Sequence, residues 1–143
     1  MKRFSEALAG SGGGQGALQS AGVQALQINV GLACNLACQH CHVGAGPTRT
    51  EEMSWETMAH VLKAVDASHC RFVDLTGGAP ELHPRFRDFI LALRERDVTA
   101  QVRSNLAVLM EPDQADTAAF LAQQGVHIVA SLPCYLEQNV DSQ

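Results

Sequence analysis

Cys34, Cys38 and Cys41 lie close together with the spacing C-x3-C-x2-C. Three thiolates on one short loop can each hold one iron of a [4Fe–4S] cluster, which leaves the fourth iron without a protein ligand and open to a small molecule. The same residues admit two other readings: a zinc site built from Cys38, Cys41 and His40 or His42, or unrelated buried thiols. A zinc ribbon needs a second paired-ligand knuckle, and none follows. His40 and His42 therefore read as loop residues rather than ligands. The chain holds five cysteines, an odd number with three of them clustered, and carries no export signal, so a disulfide framework is not expected. Metal or redox chemistry in a reducing cytoplasm is the expected use.

The composition narrows the partners. With 143 residues, 46% of them apolar, the chain fits one soluble domain with a sizeable core. Ten basic against fifteen acidic residues give a formal charge of -5. Met1-Lys2-Arg3 is the only clustered positive charge outside the helix near Arg85, which argues against nucleic-acid or anionic-membrane binding. The apolar runs are far shorter than the ~18–20 residues that cross a bilayer, and the Gly10 to Gly16 tract is no signal-peptide core.

The cysteine loop must be positioned by regular elements, and the periodicity supplies them. Residues 1–24 mix Gly, Ser, Ala and Gln without pattern and read as a mobile Gly-rich arm; residues 25–143 read as the folded domain. Leu26 to Val30 alternates as a strand, and Gly31 opens the loop. Ser54 caps a helix with Met58, Val61, Leu62 and Val65 at helical spacing. Arg71 to Thr76 is a second strand closed by Gly77-Gly78, and Phe86, Phe89, Ile90 and Leu93 mark a second amphipathic helix. Val98 to Arg103 is a third strand, Asp113 to Gln124 a third helix stopped by Gly125, and Val126 to Leu132 a fourth strand.

This order is the rhythm of right-handed βαβ units in an α/β parallel sheet. One strand face carries Leu26, Ile28, Val30, Val73, Leu75, Ile128 and Ala130 and suits a helix layer. The other carries Gln27, Asn29, Asp74, Thr76, Gln101, Arg103, Asn105 and Ser131. Parallel sheets are normally apolar on both faces, so the polar row points to the inside of a barrel or half-barrel around a charged ligand. An Asp74–Arg103 ion pair on neighbouring strands is compatible with that reading. Leu136 to Asp141 begins a further helix with no stop signal, so the sequence reads as a truncated piece of a longer protein.

C-x3-C-x2-C after the first strand of a βα series, with Thr76-Gly77-Gly78 closing the second, resembles the radical S-adenosylmethionine (SAM) enzymes. The resemblance implies the N-terminal part of a partial (β/α)6 barrel: four parallel strands with outer helices, and cluster and SAM at the strands' C-terminal ends. It implies Cys34, Cys38 and Cys41 as cluster ligands. Thr76, Gly77 and Gly78 resemble the family's Gly-Gly-Glu motif, whose backbone meets the amino group of the SAM methionine. Ala79 stands where that Glu is usual, and Glu81 follows two positions later. Asn105 and Ser131 fall where the family places polar groups toward SAM's ribose or carboxylate, and His40 takes the place of an aromatic residue near adenine.

A narrower resemblance is carried by Leu26 to Gly31, Cys41 to Pro47, Leu75 to Leu82 and Ser131 to Tyr135. These stretches are similar to the arsenosugar-biosynthesis radical SAM proteins, in which a Cys-rich C-terminal region follows the barrel. That resemblance implies transfer of the adenosyl group to dimethylated arsenic(III), an electron donor such as flavodoxin or ferredoxin, and Cys134 as a candidate substrate contact. Two other readings stay open: another radical SAM enzyme that abstracts hydrogen, such as a peptide modifier, and a non-catalytic metal-binding module.

Overall fold

The computed structural model describes residues 22–131, so the expected arm up to residue 21 and everything after Ser131, Cys134 included, lie outside the described residues. Four short alternating segments form β1 (Leu26–Asn29), β2 (Phe72–Thr76), β3 (Thr99–Ser104) and β4 (His127–Ala130). They pair in parallel in the order β1-β2-β3-β4. Parallel neighbours need long crossovers, and these are α1 (Trp55–Ser68), α2 (Phe86–Arg94) and α3 (Thr117–Gln123). The result is the expected α/β succession of four parallel strands.

Each helix has a local cause. Ser54 caps α1, its hydroxyl accepting from the Thr57 N–H at 3.2 Å, and Met58, Leu62 and Val65 form the buried stripe. His69 ends α1 in the left-handed conformation, φ 54°. In α2, Phe86, Phe89, Ile90 and Leu93 are buried against Val73, Leu75, Ala100 and Val102 of the sheet. Truncating Phe89, which is fully buried, would cost about 3–5 kcal/mol in lost transfer energy and cavity formation.

The third helix starts later than its sequence pattern indicates. Pro112 opens a separate 3-10 turn over Pro112–Gln114, and α3 begins only at Thr117. Asp116 stands at its N-cap, but its side chain makes no capping hydrogen bond. Its carboxylate instead receives the Arg87 guanidinium, with Nη1 at 2.7 Å. The fourth strand is also shorter than expected. The register sets Ile128 beside Val102 and Ala130 beside Ser104, as the alternation requires, yet Ile128 is 41% exposed. Among the described residues β4 pairs with β3 alone.

The polar strand face forms as a row. Gln27, Asp74, Gln101 and His127 stand in register across all four strands. Asp74 is 6% exposed and accepts from Gln27 Nε2 at 3.0 Å, Gln101 Nε2 at 3.1 Å and Arg103 Nη2 at 2.8 Å. Burial alone would raise the Asp74 pKa, but the hydrogen bonds from Arg103, Gln101 and Gln27 outweigh it and hold the carboxyl below its ordinary range. The expected Asp74–Arg103 pair is therefore present, and it fixes one side of the guanidinium.

Candidate cluster and cofactor site

The cysteine loop is tied back on itself close to β1. Leu32 N–H donates to Glu51 O at 2.8 Å, Gly46 N–H to Leu32 O at 3.1 Å and Cys34 N–H to Gly46 O at 3.2 Å. This brings both ends of the segment from Gly31 to Glu52 together and leaves Cys38 and Cys41 on the excursion between them. A turn closes with Cys41 N–H on Cys38 O at 3.3 Å. Arg49 braces the far side, donating to Gly44 O at 2.6 Å and pairing with Glu51. The Arg49 hydrogen bond pulls the Glu51 carboxyl down to about 2.

Two glycines let this loop close on the end of β2. A Cβ on Gly77 would lie 2.4 Å from Gly31 O, and one on Gly78 would lie 2.2 Å from Ala33 O. Gly77 also has φ +142°, which disfavours any side chain. The N–H groups of Gly78 and Ala79 donate to Gly31 O at 3.0 Å and Ala33 O at 2.8 Å. Thus the pair is more than a strand-to-helix turn: it is the surface on which the cysteine loop sits. The Gly77 and Gly78 carbonyls accept no hydrogen bond within the described residues and remain able to accept one from a ligand.

A cavity of about 620 Å³ opens at the C-terminal ends of β2, β3 and β4. Cys34, Cys38, Cys41 and His40 line it from the loop. Thr76, Gly77, Gly78, Asn105 and Ser131 line it from the strand ends. Every site residue expected from the sequence within the described range thus borders one space. Cys134 lies outside that range. Cys70 is elsewhere: it is buried just before β2, its thiol donating to Phe72 O at 3.1 Å, beside a separate small cavity at the strands' N-terminal ends.

The sequence reading missed several residues that the fold brings here. Ser104 lines the cavity beside Arg103 of the expected polar row. Asn35 touches Asn105, and Glu111 touches Asn35, across separations of about 70 residues or more that no local pattern encodes. Glu81 is 4% exposed and neither carboxyl oxygen has a hydrogen-bond partner. Burial pushes its pKa above the ordinary carboxylate range. The nearby Ser104 hydroxyl and the residue's own N–H temper the rise without reaching hydrogen-bonding geometry.

Parallel βαβ units with a tri-cysteine loop and a Gly-Gly strand end facing one cavity define a cofactor-binding α/β domain. Residues 28–132 match the radical SAM superfamily, well over half of the sequence, and the chain belongs to that superfamily. Over 70 residues, 49% of this chain and 24% of the relative, it is 36% identical to a probable GTP 3′,8-cyclase of Archaeoglobus fulgidus. Its fold is similar to Streptococcus suis SuiB bound to S-adenosylmethionine, with TM-score 0.57 and 18% identity over 73% of this chain and 23% of that one. SuiB bound to the precursor peptide SuiA gives the same TM-score and coverage at 19% identity. The chain spans about a quarter of the length of these relatives.

Radical SAM proteins use a [4Fe–4S] cluster and SAM, and the residues here fit them. The donor set is three thiols, all free of disulfides and all on one cavity wall. Amide donors already face two of the sulfurs: Ala45 N–H at 3.3 Å from Cys41 Sγ, and Leu36 N–H and Asn105 Nδ2 each at 3.5 Å from Cys34 Sγ. Such donors suit negatively charged thiolates. Among the described residues no three His, Cys, Asp or Glu side chains converge on a single point, as one zinc ion would need. A cluster takes each thiolate at a separate iron, so it needs no such convergence.

Proposed function

We propose that Cys34, Cys38 and Cys41 hold a [4Fe–4S] cluster with one open iron, that SAM binds beside it, and that the protein adds the adenosyl group to dimethylated arsenic(III). The observation that carries the cofactor assignment is the meeting of three free thiols and the Thr76-Gly77-Gly78 strand end in one cavity. Held there, the cluster would supply one-electron reductive cleavage of the sulfur–C5′ bond of SAM, with the electron from a donor such as flavodoxin or ferredoxin and a 5′-deoxyadenosyl radical as the outcome.

The chain's own residues would bind and orient SAM. The Gly77 and Gly78 carbonyls would accept from the methionine ammonium, with Thr76 beside the same group. His40 would flank the adenine. The Ser131 hydroxyl and the second lone pair of Asn105 Oδ1 would serve the ribose or carboxylate. Leu36, Val43, Ala45 and Val129 give the cavity an apolar lining against which SAM would pack. Three free thiols and an oxygen-sensitive cofactor suit a cytoplasmic setting.

The arsenic acceptor is supported by the likeness of the strand-end and loop stretches to the arsenosugar-biosynthesis proteins. An arsenic(III) lone pair can trap a carbon radical; the arsenic-centred radical so formed would return one electron to the oxidised cluster and take oxygen from water to reach arsenic(V), with methionine released, so SAM would be consumed as a substrate. Cys134 is proposed as a soft thiolate contact for that arsenic. Cys134→Ser should retain the cluster and weaken dimethylarsenic(III) binding; unchanged affinity and product yield would leave Cys134 as packing. A second reading, hydrogen abstraction from a peptide or other organic substrate, draws support from the fold likeness to SuiB, whose structure was solved with a precursor peptide.

The test is anaerobic reconstitution with iron and sulfide, followed by SAM, dithionite and dimethylarsenic(III), with products read by mass spectrometry. An adenosyl–arsenic adduct is the expected product. Formation of 5′-deoxyadenosine without the adduct would replace arsenic by the hydrogen-abstraction reading. SAM left intact by a protein with a full cluster would contradict both and leave a metal-binding module.

A further inference from the structure

We infer that Asn105 and Asn35 form a fixed hydrogen-bond relay that raises the reduction potential of the cluster through Cys34. The inference rests on the cluster assignment above. Asn105 Nδ2 lies 3.5 Å from Cys34 Sγ and 2.9 Å from Asn35 Oδ1, and Asn35 Nδ2 donates to Glu111 Oε1 at 3.1 Å. The Asn105 amide has only one sensible orientation. Its oxygen accepts from the Val108 N–H at 2.9 Å, so its NH2 group must be the side that faces the sulfur.

The relay joins three separate parts of the chain: the cysteine loop, the residue that follows β3, and the turn near Glu111. All its hydrogen bonds are partly buried, where the dipoles act with little screening. It also makes the three thiols unequal. Cys34 receives two N–H donors, from Leu36 and Asn105; Cys41 receives one, from Ala45; among the described residues Cys38, which is exposed, receives none.

A donor pointed at a ligating sulfur stabilises the more negative, reduced cluster, and hydrogen bonds to sulfur are one of the means by which proteins set iron–sulfur potentials. The couple takes one electron from the external reductant and forms no bond to either asparagine. Asn105 and Asn35 are therefore positioning residues that act through Cys34, and the quantity they move is a potential.

The experiment is a dye-mediated dithionite titration of the reconstituted protein without SAM, followed by the EPR signal of the reduced cluster. Asn105→Leu keeps the side chain's size and removes the donor. Its potential should fall by an amount that changes the reduced-to-oxidised ratio about tenfold at a given solution potential, about 59 mV for one electron. Asn105→Asp keeps the acceptor for Val108 N–H but sets a carboxylate against the thiolate, so its potential should fall further. Asn35→Ala should lower it by a smaller amount, because the Leu36 donor and Asn105 remain.

If Asn105→Leu assembles no cluster, Asn105→Asp and Asn35→Ala carry the test. Potentials equal to wild type in the variants that retain four irons would overturn the inference and leave the relay as a structural clasp. A wild-type protein that assembles no four-iron cluster would remove the cluster assignment itself, a distinguishable failure.

Discussion

Glu81 shows how a single side chain can run against the rest of the fold. Its carboxyl is buried beside Ser104 with both oxygens unpartnered, and a polar group left so costs about 1–3 kcal/mol. Its pKa is raised in the folded state, so the folded protein holds that proton at pH values where the unfolded chain has released it. Stability contributed by the protonated form is therefore complete at low pH and lost as pH rises from the ordinary carboxylate range through the folded value. Glu81→Met should raise the unfolding free energy at pH 8 by about 1–3 kcal/mol, with the gain shrinking toward pH 4. Urea unfolding of both proteins at the two pH values measures this, and an equal difference at both would refute the assignment. Nothing local in Ala79-Pro80-Glu81-Leu82 reveals that burial, because it arises from packing against the end of β3.

At the scale of elements, the close approach of two segments decides the site. A Cβ at Gly78 would sit 2.2 Å from the Ala33 carbonyl oxygen, far inside van der Waals contact with backbone that cannot turn aside. Gly78→Ala should therefore displace the cysteine loop, lower stability by about 1–3 kcal/mol through overpacking, and reduce iron retention on desalting. Iron content equal to wild type would mean that the loop tolerates the shift. Much of this arrangement was legible beforehand: the period-two alternation located four strands, and the cysteine spacing located the loop. The start of α3 was not, because Asp113 and Gln114, which the pattern counts into the helix, belong to a separate 3-10 turn opened by Pro112, and α3 begins only at Thr117. The Asn35–Asn105 contact was hidden because it depends on which loops the strands bring together.

The whole molecule divides its sheet between two environments. Helices α1 and α2 cover the face of Ile28, Val73, Leu75 and Val102, while Asp74, Gln101 and Arg103 form the opposite, polar face, whose Arg103 end borders the cavity. β4 is the least protected part, with Ile128 and Val129 41% and 39% exposed and one strand edge unpaired among the described residues. Unpaired apolar edges invite association. Sedimentation should show concentration-dependent self-association that Ile128→Lys reduces; a strictly monomeric wild-type chain at high concentration would contradict this.

Three thiols of one loop holding one cluster underlie every functional step proposed for this chain, and Mössbauer spectroscopy of the anaerobically reconstituted protein tests that most directly. Wild type and Cys70→Ala should each show a [4Fe–4S] signal with about four irons per chain, the stoichiometry three loop thiolates and one open iron imply. Cys34→Ala, Cys38→Ala and Cys41→Ala should each lose it. Retention of the signal in all three loop variants, or its loss in Cys70→Ala with the fold intact, would contradict the assignment.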